Sequence, residues 1–266
     1  MRADHLTKQH GREVTTSTQQ SINPDAGPLA RAARLGLWAL PVWAALLFVG
    51  TLSHQPDWRT QLADWSRYVT TSQFLASHLV ASIMGAAIGA LGMVALGAVL
   101  ARRGHPAAGL ATMVTGVAAN VLFAAVFGIA AFAQPAIGRD YLAGHTAQAR
   151  LLVHTAVNGG WLNVTGITGG VLLAASGVVA GVAVVRSGSL PRTAGIGFAV
   201  SVVLFVIGSA ADDFVQSIAT ALMIASTVWI AAAGRRSAPA QVADASDTVP
   251  AASPPGARQD RSARVR

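Results

Sequence analysis

Residues 193–233 read TAGIGFAVSVVLFVIGSAADDFVQSIATALMIASTVWIAAA, 41 residues in which Asp212 and Asp213 are the only charged side chains. As one helix rising 1.5 Å per residue, the stretch would be about 60 Å long, twice the roughly 30 Å hydrocarbon core of a bilayer. It is therefore read as two membrane crossings, with the aspartate pair as the only plausible divide and Arg235-Arg236 marking the exit.

Working back toward the N-terminus, residues 151–185 pose the same problem, since a helix of that length would reach about 50 Å. Asn158-Gly159-Gly160 is the natural interruption, which leaves 161–185 as a fourth span and 140–157 as an amphipathic helix lying in the membrane interface. The turn 186–192, with Gly188 and Pro191, follows it. Span three covers about 107–133 and span two about 74–101, joined by Arg102-Arg103-Gly104-His105-Pro106. In 53–73, Trp58, Leu62, Trp65 and Val69 recur at helical spacing with Asp57, Arg59, Asp64 and Arg67 between them, the pattern of a second interfacial helix. The first span is 35–52, after Arg31 and Arg34, with Pro41 expected to kink it. The expected fold is all-α: a six-span membrane domain over 35–234 with two interfacial amphipathic helices, flanked by disordered polar tails at 1–34 and 235–266.

Composition agrees. Of 266 residues, 53% are hydrophobic and 11% charged, against roughly 25% charged in a soluble domain. The absence of cysteine removes disulfides, thiolate metal sites and thiol nucleophiles at once. A net charge of +8 would point to nucleic acid in a soluble protein, but here the arginines sit at helix ends and in the tails, so no nucleic-acid partner is expected. Beside the spans, Arg31, Arg34, Arg102, Arg103, Arg186, Arg192, Arg235 and Arg236 fall on one side, and Arg59, Arg67, Arg139 and Arg150 on the other. That asymmetry places both termini in the cytoplasm and the protein in the inner (plasma) membrane. Lys8 is the lone lysine among many arginines, and Ala, Gly and Val dominate the spans, which points to a GC-rich bacterial genome.

The two turns on the arginine side look alike: Arg103-Gly104-His105-Pro106 leads to Gly109, and 186–191 lead to Gly195. Val121-Leu122-Phe123 and Val203-Leu204-Phe205 follow them, so the two hairpins read either as parallel repeats of one unit or as two ordinary Arg-Gly-Pro turns.

Motifs for nucleotide (G-x-x-x-x-G-K-[ST]), zinc (H-E-x-x-H) and a serine nucleophile (G-x-S-x-G) are absent, so no enzyme of those classes is expected. The remaining chemistry lies in polar residues within or beside spans. Gly85, Gly89 and Gly97 in span two, and Gly166, Gly170, Ala174, Gly177 and Gly181 in span four, let helix backbones approach closely. Asn120 sits mid-span and should face the bundle, either to bridge helices or to line a polar cavity. His78 lies about one turn into span two, and Asp212 and Asp213 share its level; with Asn120 these are the candidate ligand-binding residues of one outward-opening pocket. The aspartates are equally able to end one helix and cap the next. His54, His78, His145 and His154 all map to the outer half, and paired histidines on facing helices can hold haem or a transition metal, although none forms a close H-x-x-x-H pair and no cofactor is the main expectation. Asn163-Val164-Thr165 matches the glycosylation pattern but falls inside a span.

Over residues 35–236 this layout of short Arg-flanked turns, two long outer loops and polar tails resembles the many small multi-span bacterial membrane proteins that remain functionally uncharacterised. The resemblance implies an all-α bundle and carries over no functional residue. The expected function is small-molecule or ion transport or binding. The alternatives are a non-catalytic membrane subunit packed on a partner or a homo-oligomer, and a haem or metal redox protein.

Overall fold

The computed structural model describes residues 27–52, 54–211 and 213–236, side chains 210, 211 and 236 excepted. Asp212, residues 1–26 and residues 237–266, and with them most of both expected tails, lie outside the described residues. Among the described residues every regular element is helical, and six segments are long and apolar enough to cross a membrane: Pro28–Thr51, Ser72–Arg102, Pro106–Leu142, Thr146–Ser187, Arg192–Ser209 and Asp213–Arg235. They cover the six apolar runs and keep the labels spans one to six, the third and fourth being longer than the expected 107–133 and 161–185.

Span one is two helices, α1 (Pro28–Gly36) and α2 (Ala39–Thr51). The break at Leu37-Trp38 falls one turn before Pro41, where a proline cannot supply the N–H that the preceding turn requires. Helix α1 begins with Pro28 at its first turn, so 28–34, counted above with the tail, belong to the folded part. After α3 (Leu62–Val69), span two runs through α4 (Ser72–Ala76), a π-helical segment Ser77–Met84 and α5 (Gly85–Arg102). Span three is α6 (Pro106–Leu142), and span four is α7 (Thr146–Leu152), a π-helical segment Val153–Val157 and α8 (Gly160–Ser187). The Asn158-Gly159 break holds, with Gly159 extended ahead of α8. Spans five and six are α9 (Arg192–Ala211) and α10 (Asp213–Arg236).

Each span packs on the next, and α10 closes on α2, so the six form a ring in sequence order. The end of α10 meets the junction of α1 and α2: the Arg235 guanidinium stands over the Trp38 ring at 5.2 Å, and a Cβ on Gly234 would meet Leu37. This arginine end is the tight end. In the α5–α6 hairpin, a Cβ on Gly97 would lie 2.5 Å from the Gly109 carbonyl oxygen, and one on Gly109 would strike the Gly97 carbonyl. The α8–α9 hairpin repeats the arrangement with Gly181 and Gly195, at 2.6 and 2.8 Å. Aligning the hairpins on these glycines sets Val203-Leu204-Phe205 about one turn out of step with Val121-Leu122-Phe123, so the shared feature is the backbone approach and not that triplet. The main core, including Leu37, Leu40, Met93, Leu96, Leu100, Phe198 and Ile230, fills this half of the ring. The ring's outer surface is apolar, with Leu91, Leu110, Val114, Val171, Ile196 and Ile207 exposed.

At 37 residues α6 is about 55 Å long and overshoots a bilayer core by several turns. Its far end carries a second apolar cluster: Leu62, Trp65 and Val69 of α3 pack with Ile137 of α6 and with Ala149 and Val153 around α7. Gly138 admits α3, since a Cβ there would lie 2.7 Å from Val69 and 2.9 Å from the Ser66 carbonyl. Of the two amphipathic segments expected at 53–73 and 140–157, the first turns Leu62, Trp65 and Val69 toward α6 and the second turns Ala149 and Val153 there while Leu142 and Leu151 stay exposed, and 140–142 belong to α6 itself. An amphipathic stripe looks the same in sequence whether protein or headgroups cover it.

Candidate functional site

Away from the arginine end, larger side chains replace the facing glycines and the ring holds open space along its axis. A cavity of about 150 Å³ lies there, with Thr51, Ser77, His78, Ser82 and Gln216 as its polar lining. Beneath it a crevice of about 10 Å³, room for a single water, reaches Trp43, Asn120 and Leu173. Leu47, Ser82, Phe127 and Phe205 line both, so the two are stacked, and between them all six spans contribute.

Local structure positions the polar groups. The Thr71 hydroxyl accepts from the Phe74 N–H at 3.2 Å and caps α4, after which the chain widens into the π-helical segment that carries Ser77, His78 and Ser82. Such segments recur at functional sites because they re-aim side chains within a helix. His78 Nδ1 lies 3.0 Å from the Phe74 carbonyl oxygen, and its ring rests on Phe74 with centroids 4.0 Å apart. A carbonyl can only accept, so in this bond Nδ1 carries the proton and Nε2 is left as an acceptor. Asn120 is 3% exposed; its Nδ2 donates to Gly116 O at 2.8 Å, one turn back in its own helix. Its Oδ1 abuts Gly89 of α5, where a Cβ would lie 2.6 Å from it and 2.8 Å from Trp43 Nε1. The hydrogen bond that Asn120 makes is therefore not a bridge between helices.

His78 lines the upper space and Asn120 the crevice beneath it, with Ser82 between them. Asp213 lines neither: its carboxylate pairs with His54 Nδ1 at 2.9 Å, more than half exposed at the end of the ring. Asp212 lies outside the described residues. His145 pairs with Asp140 at 2.6 Å, and His154 stands edge-on to Trp58 with centroids 6.2 Å apart. Among the described residues, no three His, Asp or Glu side chains come together in a group that could hold a metal.

Ser77, Ser82, Thr51 and Gln216 were not anticipated. Hydroxyls within helices usually bond back to the preceding turn and so give no signal, as Ser77 does here to Phe74 O at 2.9 Å. Gln216, an amide inside an apolar span, was the one detectable signal by the same argument that singled out Asn120. Among the described residues the Ser82 hydroxyl and the Gln216 amide make no side-chain hydrogen bond. Asp, Glu, Lys and Arg are absent from the described lining of both spaces. The arrangement can therefore offer hydrogen bonds to a guest but no counter-charge.

Compared with protein-family models, curated proteins and solved structures, the chain matches none.

Proposed function

We propose that the chain is a multi-pass protein of the inner (plasma) membrane, with both termini cytoplasmic, that binds or transports a small uncharged molecule through the axial cavity, which opens outward. One observation carries this reading: Ser82, Gln216 and His78 Nε2 line a cavity with hydrogen-bonding capacity that the described side chains leave unused. Unsatisfied polar groups at membrane depth cost several kcal/mol unless water or a ligand meets them. The absence of charge in the described lining favours a neutral molecule over an ion, which would leave its own charge unpaired. The apolar outer face of the ring supports the membrane setting, and the arginine end supports the orientation.

Because the chain has no native cysteine, single cysteines test this directly. In intact cells, Asp64→Cys and Arg150→Cys, both exposed beyond the ring, should react with an impermeant thiol reagent, while Arg186→Cys should react only after lysis. Ser82→Cys should react from outside through the cavity. Labelling at 186 without lysis would reverse the orientation, and an inert Ser82→Cys would remove the outward-opening cavity.

A further inference from the structure

A second opening runs beside the axial cavity. Between the outer parts of spans one and two, Leu46, Val49 and Leu52 of span one face Gln73, Ala76, Ser77, Val80 and Ala81 of span two across an apolar groove of about 480 Å³. Leu46, Ser77 and Ala81 line both this groove and the polar cavity, so the wall between the two is one side chain thick. That wall is made of small residues. Among the described residues that line both spaces Leu46 is the one large side chain, and beside it a Cβ on Gly50 would lie 3.7 Å from the Ala81 Cβ. On the groove's open side Val49, Leu52 and Val80 are 54, 65 and 48% exposed, faces that suit hydrocarbon and not water.

Resting on the membrane reading above, we infer that the cavity is filled sideways from the lipid by an uncharged single-chain amphiphile. Its apolar chain lies in the groove between α2 and α4, and its hydroxyl- or amide-bearing head reaches His78, Ser82 and Gln216. Three features select this class. The joined space is apolar at one end and hydrogen-bonding at the other, which matches a molecule with a tail and a head. The described lining contains no cation to neutralise a phosphate or carboxylate head. A Leu, Ser and Ala wall lets a single chain pass when Leu46 changes rotamer, whereas a water-soluble solute would gain nothing from the groove.

The test uses the full-length protein in phosphatidylcholine vesicles with a monoacylglycerol carrying a diazirine midway along its chain, and adducts are mapped by mass spectrometry. Expected are adducts on Val49 and Val80 in the groove and on Phe127 or Phe205 in the cavity. Unlabelled monoacylglycerol should also protect Ser82→Cys from its reagent. Narrowing the wall with Ala81→Leu, or with Ser77→Leu should the first variant not fold, should lower cavity adducts about tenfold, a loss of about 1.4 kcal/mol. Adducts spread evenly over the exposed ring surface, or unchanged by both variants, would overturn the inference. The two levels separate cleanly. If Ser82→Cys reacts with the reagent but monoacylglycerol neither protects nor crosslinks it, the amphiphile is refuted and the cavity stands. If Ser82→Cys is inert, both fall.

Discussion

Replacing Gly97 with valine should leave little folded protein. The new Cβ would lie 2.5 Å from the Gly109 carbonyl oxygen and strike Met113, and a backbone carbonyl can retreat only if α5 and α6 separate. Overpacking that flexible side chains can absorb costs about 1–3 kcal/mol, and here the yielding partner is backbone, so a loss of about 3 kcal/mol or more is expected. Gly181→Val should do the same to the α8–α9 hairpin, where its Cβ would meet the Gly195 carbonyl at 2.6 Å. The control is Gly128→Val in the open middle of α6, where a Cβ meets nothing within 4 Å. It should stay within about 1 kcal/mol, the scale of helix propensity alone. Thermal unfolding in detergent measures all three, and equal midpoints for Gly97→Val and Gly128→Val would show that the glycine approach does not hold the arginine end together.

Asn120→Leu should strip the cavity of its deepest polar group while sparing the fold. The bond that Asn120 makes returns to Gly116 within α6, so removing it frees one carbonyl and unfastens no neighbouring helix. The stability change should be about 1 kcal/mol or less, the scale of intramembrane hydrogen bonds. Binding should respond more, because the single water that fits between Asn120 and Ser82 relays the amide to the head. Monoacylglycerol protection of Ser82→Cys should require at least about tenfold more ligand in the Asn120→Leu background. Leucine is close to asparagine in size, so a matching effect from shape alone is not expected. A large drop in melting temperature with unchanged protection would identify Asn120 as a packing residue.

The candidate site was half legible. Asn120 and His78 stood out because an amide or imidazole at membrane depth needs a partner, and the same logic applied to Gln216 would have added a third. Ser77, Ser82 and Thr51 were invisible, since a hydroxyl that can bond to its own helix gives no sign of where it points. Asp213 looked like a pocket residue from its level along the bundle, but His54 holds it at the exposed end of the ring. Level in the sequence is a coordinate along the helix axis only; it says nothing about the angle around the bundle.

That distinction separates what each kind of information determined. The number and places of the helices long and apolar enough to cross a membrane, the break at Asn158-Gly159 and the arginine asymmetry follow from the sequence by itself, because helix length, apolar character and charge at helix ends are local properties that need no knowledge of neighbours. Ring closure, the axial cavity, the π-helical segment under His78 and the packing of α3 on the projecting end of α6 came only from the tertiary structure. A helix that is apolar all round has no hydrophobic face to read, so hydropathy cannot say which side meets lipid and which meets another helix. That choice is made by the fit of particular surfaces, such as Gly97 on Gly109 and Gly181 on Gly195, and it exists only once the helices are brought together.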